Sequence, residues 1–144
     1  MPTSPDLGKP LQDAKLLIAD DDLLSVKLLQ LIFANEGCEL LTVASAAEAL
    51  RMIPTFQPDI LLLDIVLPFM HGLDLTRMLK AREETRSLVV IVVTASNGQS
   101  AERLAREAGC AGYLRKPIDP LTFAQQIAEI WGKERDPRGA GRKS

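Results

Sequence analysis

A chain of 144 residues, 47% hydrophobic and 25% charged, is expected to form one domain that buries roughly 70% of the surface its unfolded form exposes. A formal charge of −2 argues against wholesale nucleic-acid binding, which needs a strongly basic face. The longest apolar stretches, such as Leu88 to Val93, fall far short of the ~20 residues needed to cross a bilayer, and the N-terminus lacks the basic-then-apolar order of a secretory signal.

Pro2, Pro5, Gly8 and Pro10 mark residues 1–13 as a flexible leader, and the folded domain is expected over residues 14–132. The first strand is expected over Lys15 to Ala19. A helix follows over Leu23 to Glu36, with Leu24, Leu28, Leu31 and Ile32 recurring as its apolar face and Gly37 as its stop. A second strand spans Glu39 to Val43. Ser45 with Glu48 three residues later forms a capping box, opening a helix to about Ile53, before Pro54. The third strand, Ile60 to Leu63, precedes a helix around Leu73 to Ala81 with Leu75, Met78 and Leu79 on one stripe. The fourth strand, Val89 to Val93, precedes a helix patterned by Ala101, Leu104, Ala105 and Ala108 and closed by Gly109. Tyr113 to Arg115 forms the fifth strand. Asp119 as N-cap and Pro120 at the first helical position open a last helix, to about Trp131.

The first, third and fourth strands are continuous apolar runs, as strands covered on both faces should be. The second and fifth carry polar residues, which suits sheet edges. Strand and helix alternate five times, so the fold class is a doubly wound α/β domain. Residues 133–144 hold Lys133, Arg135, Arg138, Arg142 and Lys143 against Glu134 and Asp136, a net of +3, and are expected to be a disordered, solubilising tail. Cys38 and Cys110 have no metal-ligand spacing and read as small apolar fillers with reduced thiols, in a cytoplasmic protein.

If the strands are parallel, their carboxyl ends meet at one edge of the sheet, where open α/β folds place their sites. Asp20, Asp21 and Asp22 follow the first strand, Asp64 the third, Thr94 the fourth, and Lys116 with Pro117 the fifth. Two like charges ~4 Å apart cost about 4 kcal/mol at an effective dielectric near 20, so such a cluster must protonate, spread or recruit a cation. Oxygen-only ligands point to Mg²⁺, which keeps several waters and needs few carboxylates. The competing explanation, that these acids merely cap the following helices, fits Asp22 well. It fits Asp64 poorly, because Pro68 and Gly72 shape a loop before any helix starts.

The segment Asp64, Ile65, Val66, Leu67, Pro68, Phe69, Met70, His71, Gly72 resembles the D-x-x-[LM]-P-x-x-x-G of response-regulator receiver domains. The acidic pair, the Thr94-Ala95 step and the Lys116-Pro117 step keep the order and spacing of that family, and the likeness covers about Lys15 to Trp131. The resemblance implies a flavodoxin-like (βα)5 parallel sheet in the order 2-1-3-4-5. It implies that Asp64 is a phosphoacceptor, taking a phosphoryl group from a phosphohistidine on a histidine kinase or histidine phosphotransfer protein. Asp21, Asp64 and the backbone carbonyl of Val66 would hold Mg²⁺, with Asp20 acting through metal-bound water. Thr94 would donate to a phosphoryl oxygen and Lys116 would supply positive charge. Tyr113 matches the family's switch aromatic, moving with Thr94 and the polar loop Ser96 to Gln99. The readout would be the face of the fourth helix, fifth strand and fifth helix, presented to a downstream protein, with a homodimer left open.

Such a chain is a signalling domain that assists its own phosphorylation and dephosphorylation, not an enzyme with an external substrate. Neither Val66 nor Ser96 can aim a water at phosphorus, which implies a long-lived phosphorylated state. His71, the sole histidine, reads as a solvated loop residue rather than a phosphodonor. With no residues left for an output domain, a stand-alone receiver is the main reading, against a receiver cut from a hybrid kinase or transcription factor. No direct DNA or membrane binding is expected. A dehalogenase-like phosphatase would want a second acid where Val66 stands.

Overall fold

The computed structural model describes residues 9–95 and 100–135. Five strands form a single sheet: β1 (Lys15–Ala19), β2 (Glu39–Val43), β3 (Ile60–Leu63), β4 (Val89–Thr94) and β5 (Gly112–Arg115). The helices are α1 (Leu23–Phe33), α2 (Ala46–Phe56), α3 (Gly72–Ala81), α4 (Ala101–Ala108) and α5 (Phe123–Arg135). Every strand pair is parallel and the order is β2-β1-β3-β4-β5, the flavodoxin-like topology the resemblance implied.

The period-two alternation of strand side chains divides the apolar residues into two cores. Leu17, Ala19, Leu61, Leu63, Val90 and Val92 pack against residues of α2, α3 and α4. Leu16, Ile18, Ile60, Leu62, Ile91 and Val93 pack against Leu29 and Phe33 of α1 and Phe123, Ile127 and Trp131 of α5. The three central strands are buried throughout except at Lys15, which is why their sequences lack polar alternation. Glu39 and Arg115 lie exposed on the two edge strands.

Helix faces and ends depart from expectation in specific ways. In α1 the buried residues are Leu29 and Phe33, whereas Leu24 and Leu31 are 79% and 74% exposed. The segment LLSVKLLQLIF is apolar around most of its circumference, so periodicity alone cannot choose a face. The choice is made by α5, whose Phe123 meets Phe33 edge-to-face at 6.0 Å. The helix also ends at Phe33, short of Glu36. Gly37 remains the residue favoured in the turn beyond: its φ is 79°, a backbone conformation that a Cβ disfavours, and a Cβ there would press on the Gln12 side chain.

Pro54 does not stop α2, which runs on to Phe56 and closes with Gln57 in the left-handed region. Pro54 has no N–H to give to the carbonyl four residues back, but the end of the helix is held beyond it by Gln57 N–H on Ile53 O at 2.8 Å. In α4, Ala105 and Ala108 face the core while Leu104 is largely outside. α5 starts three residues later than Pro120. Asp119 instead closes the preceding turn, accepting from Leu121 N–H at 3.0 Å through Oδ1 and from Phe123 N–H at 3.0 Å through its carbonyl. α5 then reaches Arg135, whose guanidinium stacks 3.8 Å from the Trp131 ring, so the first three residues of the expected tail are helical. At the other end, Leu11 of the expected leader is fully buried in the α1–α5 core. Residues 1–8 and 136–144 and the Ser96 to Gln99 loop lie outside the described residues.

Candidate functional site

Register brings the strand ends to one edge. Ala19 pairs with Leu63, Leu63 with Val92, and Thr94 with Arg115. The ladder continues one step past the strands through Asp20 N–H to Val43 O (3.1 Å), Asp64 N–H to Ala19 O (3.0 Å) and Lys116 N–H to Thr94 O (2.9 Å). Asp20, Asp64, Thr94 and Lys116 are therefore held by sheet hydrogen bonds rather than by loop conformation. The Lys116-Pro117 peptide is cis.

Asp64 is the hub. Its Oδ1 accepts from Thr94 Oγ1 at 2.9 Å and from Val66 N–H at 3.0 Å, and its Oδ2 accepts from Lys116 Nζ at 3.1 Å. Lys116 also donates to Asp20 Oδ2 at 2.8 Å, and Asp20 Oδ1 accepts from Asp22 N–H at 2.9 Å. Burial pushes the Asp20 carboxyl above its ordinary range, outweighing the pull of Lys116. Burial works against the charge on Lys116, but its hydrogen bonds to Asp20 and Asp64 prevail and raise its pKa above that of a free lysine. Asp22 is an N-cap, accepting from Leu24 N–H and from the Ser25 hydroxyl, which lowers its pKa.

The loop from Ile65 to His71 is closed at its base. Gly72 N–H donates to Ile65 O at 2.8 Å, and a Cβ on Gly72 would lie 2.6 Å from Ile65 Cα. Leu67 is buried, and His71 is an exposed N-cap of α3 whose Nδ1 accepts from Leu73 N–H at 3.1 Å. That capping role agrees with reading His71 as a solvated loop residue.

Four of the expected site residues thus share one hydrogen-bonded network: Asp20, Asp64, Thr94 and Lys116. Asp21 lies exposed beside them, and Tyr113 is half-buried on β5 against the α2–α4 core. Among the described residues no three Asp, Glu, His or Cys side chains gather as a metal-binding group. The donor set still suits a hard cation: oxygens of Asp20 and Asp64 lie within 3.1 Å of one ammonium, and Asp21 adds an exposed carboxylate. Two contacts escaped the sequence reading. One is the Val66 N–H on Asp64, which no side chain signals. The other is the Lys116 bond to Asp20, a residue expected to act through metal-bound water.

Residues 16–128 match the response regulator receiver domain. The chain belongs to that family. The polar-differentiation response regulator DivK of Brucella ovis is 36% identical to this receiver over 117 residues, covering 81% of the chain and 95% of DivK. A solved putative response regulator from Chloroflexus aurantiacus shares 32% identity with a TM-score of 0.79, covering 84% of this receiver and 99% of that chain. The Mn²⁺-bound form of the response regulator Rcp1 shares the fold at 19% identity and a TM-score of 0.70, covering 81% and 91% of the two chains. No helix among the described residues of the receiver is long and apolar enough to cross a membrane.

Proposed function

We propose that this receiver accepts a phosphoryl group on Asp64 from a phosphohistidine of a histidine kinase or histidine phosphotransfer protein. A P–O bond forms at an Asp64 carboxylate oxygen as the P–N bond breaks, and its electron pair returns to the imidazole nitrogen. The reading is carried by the two side chains already on that carboxylate, Thr94 Oγ1 at 2.9 Å and Lys116 Nζ at 3.1 Å. Both are donors that can turn from carboxylate to phosphoryl oxygens, and positioning with charge neutralisation is most of what phosphoryl transfer needs. Asp20, Asp21, Asp64 and the Val66 carbonyl would hold Mg²⁺, which when bound supplies positive charge against the acceptor and phosphoryl oxygens.

A phosphoryl group adds about −1.5 to −2 of charge and three acceptor oxygens, enough to draw the Thr94 hydroxyl away from Asp64. Tyr113, half-buried on β5, would follow, and the α4-β5-α5 face would carry the change to a downstream protein or a second copy. For the donor, exposed Leu24 and half-buried Leu28 of α1 line a shallow cavity of about 190 Å³ with Lys116, Pro117 and Ile118. That apolar surface beside the acceptor suits a docking helix. Incubation with acetyl phosphate and Mg²⁺ should label the protein at Asp64. Full labelling of Asp64→Asn, or labelling indifferent to a chelator, would overturn the reading.

A further inference from the structure

Phe69 is at the tip of the loop that follows Asp64, and its ring is as exposed as in an extended chain (104%). Its backbone has a φ of +69°, and Met70 N–H donates to Pro68 O at 2.8 Å across it. A two-residue hydrogen bond around a positive φ is the rare, strained form of γ-turn. Glycine or asparagine would hold that conformation far more cheaply than an aromatic L-residue. The strain persists because the base of the loop is fixed independently. Gly72 N–H bonds Ile65 O, Leu67 is buried, Met70 packs against the α2–α4 core, and His71 caps α3.

A fully exposed ring returns no burial energy to set against that strain, so the fold gains nothing from phenylalanine at this position. The ring is also not an isolated apolar residue. Val66, on the same loop, is 65% exposed while its N–H touches Asp64 Oδ1. Asp64 itself is buried, so a donor protein can bring an imidazole to its carboxylate only by covering the surrounding rim. Val66 touches that carboxylate through its N–H, and Phe69 is carried on the same loop, five residues after Asp64. Aromatic side chains, phenylalanine among them, are enriched where protein interfaces are formed.

We propose that Phe69 is an aromatic docking anchor, inserted into an apolar recess of the phosphohistidine-bearing protein that loads Asp64. The inference rests on the acceptor role of Asp64 and adds the residue by which the donor is selected. Fold stability is given up at Phe69 for recognition, as strained positions near functional sites often do.

The test compares the wild type with Phe69→Asn, Phe69→Gly and Phe69→Tyr. Acetyl phosphate with Mg²⁺ reports the acceptor alone. Autophosphorylated histidine kinases and phosphotransfer proteins of the host are profiled, and the fastest donor to the wild type is the protein probe. Asn and Gly should label normally with acetyl phosphate and melt no lower than the wild type. They should lose about tenfold or more in kcat/KM from the protein donor, and Tyr should restore it. Unchanged transfer from the protein donor to the Asn and Gly variants overturns the anchor and leaves the acceptor reading intact. The same holds if the only defect is loss of a beryllofluoride-induced dimer in sedimentation, which assigns the ring to a second copy. Failure of the wild type to label with acetyl phosphate removes the acceptor reading, and the anchor with it.

Discussion

Lys116 Nζ lies closer to Asp20 Oδ2, at 2.8 Å, than to Asp64 Oδ2, at 3.1 Å. One ammonium therefore neutralises two carboxylates, and its side chain is only 14% exposed. Lys116→Met leaves both acids facing each other with no counter-charge. Breaking a largely buried ion pair from one side costs several kcal/mol, and at this sheet edge about 2–3 kcal/mol is expected without metal. Adding Asp20→Asn should return a good part of that loss, because it removes one of the two stranded charges. Urea unfolding of the two single variants and the double variant measures the coupling, which additivity would contradict.

On the proposed acceptor role of Asp64, Val66→Asn tests the lifetime of the phosphorylated form. The Val66 N–H is 3.0 Å from Asp64 Oδ1 and the residue is 65% exposed, so its side chain is open to solvent next to that carboxylate. A valine there cannot orient a water, whereas a carboxamide can. Dephosphorylation should accelerate by about tenfold, which is ~1.4 kcal/mol of barrier. Loss of radiolabel over time after removal of the donor checks this, and an unchanged half-life refutes it.

Site and sheet were readable from the sequence for the same reason. Central strands buried on both faces have to be apolar runs, so Asp20, Asp64 and Thr94 stand out as the first polar residues at their ends, while Lys116 follows the edge strand β5 and is marked by the Lys116-Pro117 step instead. Parallel register then brings those residues together. Helix faces were less readable. The α1 segment has leucines on nearly every side, and only contact with Phe123 decides that Leu29 and Phe33 go inward and Leu24 and Leu31 stay out. Phe69 was invisible for another reason: in the sequence it is a spacer, and only its φ and its exposure distinguish it.

Leu11 shows where composition misleads. Pro10 beside it suggests loose chain, yet the leucine is fully buried, and Ala14 N–H closes a turn onto its carbonyl at 3.0 Å. Leu11→Ala should destabilise the domain by about 2–5 kcal/mol, the range for a leucine lost from a packed core. Deleting residues 1–13 should reproduce the loss. Thermal melts of the three proteins decide it.

Cys110 offers a pH dependence away from the candidate site. Burial raises its thiol pKa, more than its contacts with Thr76, at 3.8 Å, and the nearby Lys80 and Arg77 can lower it. The unfolded chain then loses this proton at lower pH than the folded one. The folded state therefore binds more protons above about pH 9, and the contribution to stability falls as pH rises from the unfolded pKa through the folded one. Cys110→Ala should flatten the decline of unfolding free energy between neutral and strongly alkaline pH. Native Cys110 should also react with a disulfide reagent at pH 8 far more slowly than in urea, and equal rates would contradict its burial.

Gly72 ties the fold to the site. A Cβ there would stand 2.6 Å from Ile65 Cα and 3.0 Å from Asp64 O, both backbone atoms that cannot step aside as a flexible side chain would. Gly72→Ala must therefore push the α3 start away from Ile65 and Asp64. Over-packing of this kind costs about 1–3 kcal/mol. The functional loss should exceed what stability explains, because the Gly72 N–H bond to Ile65 O closes the loop within one residue of Asp64. Acetyl phosphate labelling should fall at a temperature where the variant remains folded by circular dichroism. Normal labelling of a folded Gly72→Ala protein would mean that the loop base does not position the acceptor.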